Sequence, residues 1–173
     1  MRKYKFSVED IKRLLKQIVI LVDSREKKNS HILEYFEKNG IAYRKEKMEY
    51  GDYTFLIPTT DGDIYFHRDC VLERKASLEE LSGNLAQERE RFEKEFLKAG
   101  NDGAKTYLMV EAPGGYSDII AHRYKTEFAP TAYMASLKTW EHRFGCNVQF
   151  ISPEYSGYYI YSTFVYFARE VLK

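Results

Sequence analysis

The run Asp69-Cys70-Val71-Leu72 carries an apolar β segment straight into three consecutive charges, Glu73-Arg74-Lys75, and no other feature restricts this chain as much. Charged residues in strands are mostly a solvated face. A strand that is apolar until its end and then fully charged needs a further reason, and a functional site supplies one. Because side chains alternate across a strand, Glu73 and Lys75 project from one face, which puts an anion and a cation within reach of a single phosphate. Upstream, Gly51-Asp52-Tyr53 opens the hairpin and adds a second carboxylate. Two carboxylates can hold a divalent cation that polarises a phosphoryl oxygen and acidifies a water, while a lysine meets the charge that develops.

Gly51-Asp52-Tyr53, a spacer, Glu73-Arg74-Lys75 and the acid Glu79 four residues on resemble the signature of the XPF family of structure-specific endonucleases, in the restriction-endonuclease-like superfamily. Val22-Asp23-Ser24-Arg25-Glu26 is similar to that family's first acidic motif, and the run from Glu73 to Phe96 resembles short stand-alone members found in phages and prophages. The resemblance extends over about residues 18–152. It implies catalytic roles for Asp23, Asp52, Glu73, Arg74, Lys75 and Glu79, and Mg²⁺ or Mn²⁺ held by Asp52 and Glu73 with help from the Arg74 carbonyl. It also implies Lys75 as the transition-state stabiliser, DNA as the partner, and a hydrolytic cut that leaves a 5′-phosphate and a 3′-hydroxyl.

Two departures stand out. Glu79 replaces the family's usual aspartate, and Pro58-Thr59-Thr60-Asp61-Gly62-Asp63 lengthens the spacer, which reads as a longer hairpin tip. The helix-hairpin-helix pair that grips branched DNA in larger members has no visible counterpart, so the resemblance does not extend to branch specificity. An alternative is a catalytically silent nuclease-fold module for DNA binding or dimerisation; such modules usually lose the GDY or ERK residues, which here are intact. Another is an unrelated α/β domain whose charges form surface ion pairs, which scattered side chains would support.

At 173 residues the chain is long enough for one sheet covered by helices. Aromatic residues at 16% and hydrophobic residues at 44% point to a packed globule. With 27 Lys+Arg against 26 Asp+Glu, bulk charge does not grip nucleic acid, so any DNA contact needs a local patch. Arg25, Arg74 and Arg91 are the candidates for phosphate contacts, although Arg91 sits among acids that favour helix ion pairs. The apolar run 18–22 is too short to span a membrane and has no signal-peptide flanks, which predicts a cytoplasmic protein without membrane contact. Cys70 and Cys146 read as small buried hydrophobes. His31, His67, His122 and His142 show no metal-ligand spacing and read as surface or helix-packing residues.

Alternating β and α signals predict an α/β fold, and the resemblance makes it a restriction-endonuclease-like mixed β-sheet flanked by helices on both faces in a single domain. Residues 1–17 read as an N-terminal helical extension, 18–152 as the nuclease domain, and 153–173 as an aromatic-rich helix packed on it. Helices are predicted over 7–16, 29–39, 77–98, 131–144 and 157–172, and strands over 18–22, within 41–57, 64–66, at 70–75, 106–111 and 148–151. Residues 112–130 read as a loop. The 77–98 helix carries the stripe Leu78, Leu81, Leu85, Phe92 and Phe96, with Ser77 and Glu80 as a capping box. The last helix holds too many apolar groups for one stripe. That predicts a homodimer surface around Ile160, Phe164 and Phe167, the alternative being tyrosine hydroxyls that point to water.

Overall fold

Burial on both faces governs the centre of this protein, whose computed structural model describes residues 4–173. In chain order the elements are α1 (Val8–Leu15), β1 (Val19–Asp23), α2 (Ser30–Lys38), β2 (Tyr43–Glu46), β3 (Tyr53–Ile57), β4 (Ile64–Tyr65) and β5 (Cys70–Lys75). They continue with α3 (Leu78–Leu85), α4 (Arg89–Asp102), β6 (Lys105–Val110), α5 (Gly115–Ile120), α6 (Pro130–Phe144), β7 (Asn147–Phe150) and α7 (Ser156–Val171), with a 3₁₀ turn over Pro153–Tyr155 before α7. The strands form one mixed sheet in the order β2-β1-β3-β5-β6-β7, with β4 paired to β3. β1 lies antiparallel to β3 and β3 to β5, whereas β1–β2, β5–β6 and β6–β7 are parallel. Every residue of β3 and β5 is buried, as expected of strands covered on two sides.

The two faces have separate cores. On one, α1, α2 and α7 bring Ile11, Ile32, Phe36, Ile160 and Phe164 against Ile20, Val22, Phe55 and Leu72. On the other, α3, α4 and α6 bring Leu81, Phe92, Phe96 and Trp140 against Leu108 and Val110. Gly157 lets α7 press onto α2, since a Cβ there would lie 2.6 Å from the Tyr35 ring. The result is the mixed sheet with helices on both faces that the sequence predicts.

Side-chain hydroxyls cap the starts of α1 and α3. Ser7 Oγ accepts from the Asp10 N–H and opens α1. Ser77 Oγ accepts from the Glu80 N–H while Glu80 accepts from the Ala76 N–H, so Glu80 does the capping work read from the sequence.

Three expectations differ from the structure. The helix expected over 77–98 is two helices, α3 and α4, broken at Ala86, whose φ of −108° and ψ of −84° are not helical. An unbroken helix of that length would run ~33 Å in one direction; the break instead lets Phe92 stack on Trp140 while Tyr133 bonds the Leu78 carbonyl. The loop over 112–130 contains α5, whose six residues are too few to show a period. Finally, Ile160, Phe164 and Phe167 lie in the core, because α7 is covered by the sheet, α1 and α2 together. They are not available to a second copy, and the exposed aromatics of this region are Tyr155, Tyr158 and Tyr166.

Phe164 is fully buried and packs its ring against Phe55 at a centroid distance of 5.2 Å. Phe164→Ala is expected to remove about 3–5 kcal/mol of stability. Urea unfolding followed by circular dichroism measures that loss, and a change under 1 kcal/mol would contradict the core assignment.

Candidate active site

Register brings the strand ends together. Val22 pairs with Tyr53 across β1 and β3, and Tyr53 pairs with Leu72 across β3 and β5. Just before Tyr53, the Asp23 N–H donates to the Asp52 carbonyl at 2.8 Å and the Asp52 N–H to the Leu72 carbonyl at 2.9 Å. Asp23, Asp52 and Glu73 therefore sit side by side although the chain separates them widely. Gly51 makes the approach possible: its φ is +73°, and a Cβ would lie 3.1 Å from that of Val71.

Alternation along β5 then sorts the charged triplet. Glu73 and Lys75 share one face, with Lys75 Nζ 2.6 Å from Glu73 Oε1 and 4.7 Å from the centre of the Phe92 ring. The Arg74 N–H donates to Asp52 Oδ2 at 2.7 Å. These groups line a cleft of about 340 Å³ together with Asp23, Glu26, Glu80 and Glu95, and with Arg25 and Arg91. Burial, and next the charge of Glu73, pushes the Asp52 carboxyl well above its ordinary range. Burial also works against the Lys75 charge, but Glu73 and Asp52 outweigh it and raise the ammonium pKa. The cleft therefore crowds carboxyl groups around a buried ammonium that stays charged.

Asp23 is an anchor as much as a cleft wall. It accepts from the Arg25 N–H at 2.8 Å, from Arg25 Nε and Nη2 at 2.9 and 2.6 Å, and from the Met48 N–H at 3.2 Å. Burial opposes its charge, yet the Arg25 bonds hold its carboxyl below the usual range. Arg25 remains 61% exposed, and Arg91, 71% exposed, is paired with Glu88 at 2.8 Å as the acids around it in the sequence favour, so both guanidiniums lie at the surface beside the cleft.

The Arg74 guanidinium points to the opposite face and is only 4% exposed. It donates from Nε and Nη2 to the two oxygens of Glu111 at 3.0 and 2.6 Å, from Nη1 to Glu26 at 2.6 Å, and from Nη2 to the Lys28 carbonyl. The phosphate contact expected of its side chain is thus replaced by an internal ion-pair network, because an arginine on that face is buried under α2 and α7. Only its backbone reaches the cleft. Glu79 differs as well: its Oε1 accepts from the Lys125 N–H at 3.0 Å, tethering the segment after α5, and it is absent from the cleft wall. Burial raises its pKa, but the first-turn and Lys125 N–H groups win and lower it.

Reasoning from sequence missed Glu111, Glu26 and Glu95. Glu111 carries the same signal that marks Glu73, a charge that closes an apolar strand, and it accepts further from Ser156 Oγ and His31 Nε2 at 2.7 Å each. His31 is therefore a polar partner in a network and not only a packing residue. Glu95 had no sequence signal, being one of many acids on α4. Among the described residues, no three His, Cys, Asp or Glu side chains gather as a metal-binding cluster. None of the described helices is long and apolar enough to cross a membrane.

Fold and cleft together define an XPF nuclease-like α/β domain, with acids and one lysine where the antiparallel and parallel halves of the sheet meet. The chain belongs to the ERCC4 domain family, whose sequence pattern matches residues 22–163. Among solved structures it is similar to XPF from Aeropyrum pernix, at 18% identity and a TM-score of 0.61, over 83% of this chain and 62% of that one. It is also similar to XPF from Aeropyrum pernix in complex with DNA, at 17% identity and a TM-score of 0.63, over 90% of this chain and 67% of that one. The chain thus spans about 62% of the length of the first of these. No curated protein matches it.

Glu111 is 3% exposed in its ion pair, so Glu111→Gln leaves the buried Arg74 guanidinium with Glu26 as its one charged partner among the described residues and is expected to cost about 3–5 kcal/mol. Its folded-state pKa lies below the ordinary value, since the Arg74, Ser156 and His31 bonds outweigh burial. The stabilisation is therefore complete above the ordinary carboxylate pKa and is lost as pH falls through the lowered folded value. Urea midpoints from pH 7 down to pH 3 should converge for the two proteins at the acid end, and a constant gap would contradict the linkage.

Proposed function

We propose that this chain is a divalent-metal-dependent DNA endonuclease that hydrolyses phosphodiester bonds. One observation carries the reading: the buried Glu73–Lys75 pair stands beside Asp52 on the floor of an open cleft. Charges that merely decorate a surface would be scattered and solvated, whereas these converge from two strands and are desolvated. A silent module would have lost part of the set, and every member of GDY and ERK is present. The resemblance of the fold to a protein solved with DNA supports the substrate class.

Asp52 and Glu73 supply hard oxygen donors, and the raised Asp52 carboxyl marks a place where a cation would relieve crowded negative charge. Mg²⁺ or Mn²⁺ would be held there, with the Arg74 carbonyl as a further donor. When bound, such an ion polarises a phosphoryl oxygen and lowers the pKa of a bound water. Lys75, locked by Glu73 and Phe92, offers a fixed positive charge to the oxygen that becomes more negative as the bond breaks. Arg25 and Arg91 bind flanking phosphates, and Asp23 keeps Arg25 aimed while fixing the Met48 backbone. Residues 18–152 form the catalytic unit, with 4–17 and 153–173 packed on it, in a cytoplasmic protein that acts on DNA structures of repair or recombination. Self-association places Tyr155, Tyr158 and Tyr166 at the contact, the aromatics that the core leaves exposed; light scattering that shows only 20.4 kDa would reject it.

Labelled flaps, forks, junctions, single strands and duplexes incubated with Mg²⁺ or Mn²⁺ test activity and structure specificity together. Asp52→Asn and Glu73→Gln are each expected to lower cleavage roughly 10³-fold or more with the fold retained, since a lost ligand removes several kcal/mol of transition-state stabilisation. Lys75→Met should lower kcat on the order of 10²–10³ while DNA still binds. Full activity in either acid variant would overturn the two-carboxylate site.

A further inference from the structure

We infer that Glu95 acts beside Asp52 and Glu73 as a third carboxylate toward the cation, which it would reach through a bound water. The inference rests on the metal-dependent reading above. Each other carboxylate that lines the cleft is bonded: Asp23 to Arg25 and Met48, Glu26 to Arg74, Asp52 to the Arg74 N–H, Glu73 to Lys75, and Glu80 to the Ala76 N–H. Glu95 has no hydrogen bond or ion pair among the described residues, and Lys75, Arg91 and Arg25 act on it only from a distance.

A second cavity points to the same residue. Beneath Gly51, a space of about 10 Å³ is lined by Glu73 and Glu95 together with Tyr50 and Thr106. That is the size of one water, with carboxylate and hydroxyl groups to bond it. Glu73 and Glu95 thus both line the cleft and this cavity.

Helix geometry fixes the placement. Phe92 and Phe96 anchor α4 in the core, and Glu95 follows Arg91 by four residues, so both project to the cleft side. The break at Ala86 gives α4 its own direction and so brings Glu95 to the cleft wall that Glu73 also lines. Glu79, on α3, is turned to Lys125 instead. An acid expected one turn after the charged triplet is in this chain supplied from the next helix.

Calorimetric titration of the whole protein with Mn²⁺, without DNA, tests this. Glu95→Gln should weaken Mn²⁺ binding roughly tenfold or more, the usual effect of removing a group that bonds a metal's ligands or waters. Glu95→Asp should recover part of the loss. Glu93→Gln removes the same charge from α4 outside the cleft and should leave binding at the wild-type value. Asp52→Asn separates the two readings. If wild type binds Mn²⁺, Asp52→Asn loses it and Glu95→Gln does not, the Glu95 inference alone is overturned. Wild type without Mn²⁺ binding overturns both. Equal losses in Glu93→Gln and Glu95→Gln would reduce the effect to bulk charge and also overturn it. Circular dichroism and urea midpoints confirm that each variant is folded at the titration temperature.

Discussion

Arg74 holds the site from both sides of the sheet. Its side chain is buried in a two-point ion pair with Glu111 and a further pair with Glu26, while its own N–H grips the Asp52 carboxylate on the other face. A buried guanidinium without partners would be costly, so the network is satisfied or the strand end does not form. With it satisfied, the last three residues of β5 are fixed in register. Glu73 and Lys75 can then lie against each other on the cleft side without rearranging.

That arrangement gives the acidic motif around Asp23 a physical division of labour. Asp23 itself ties Arg25 and the Met48 backbone to the end of β1. Glu26, three residues on, crosses beneath the sheet end to Arg74. Through the Glu26–Arg74 pair the motif therefore joins β1 to β5 although β3 lies between them. Groups held in place in this way meet a charge without first reorganising.

Electrostatic crowding is the complement of that rigidity. Asp52, Glu73, Glu80 and Glu95 share one small cleft with one buried ammonium, and both Asp52 and Glu95 are raised by burial and by Glu73. Carboxyl groups perturbed in this way by burial and by a specific charged neighbour inside a cleft mark a candidate functional site. Exposed Arg25 and Arg91 stand beside the cleft in a chain whose overall charge is only +1.

Local sequence determined a good part of this. An apolar run that ends in charge marked β5, Gly51 marked the tight approach before Asp52, and alternation alone put Glu73 and Lys75 on one face. Ser7 and Ser77 marked helix starts because their hydroxyls satisfy N–H groups only a few residues away. What lay beyond sequence was whatever depends on a partner distant in the chain. The Arg74 side chain could be assigned to DNA or to the interior with equal local logic, and only the packing of α2 and α7 over that face decided for Glu111. Periodicity carried through Ala86, yet docking of Phe92 on Trp140 favours a break there. Apolar excess on α7 was visible, but whether a second copy or the rest of this chain covers Ile160, Phe164 and Phe167 is a question of which surfaces meet, and the sheet with α1 and α2 meets them first. Glu95 shows the same limit: a glutamate among many on an exposed-looking helix becomes a cleft residue only because tertiary structure brings it to the wall that Glu73 also lines.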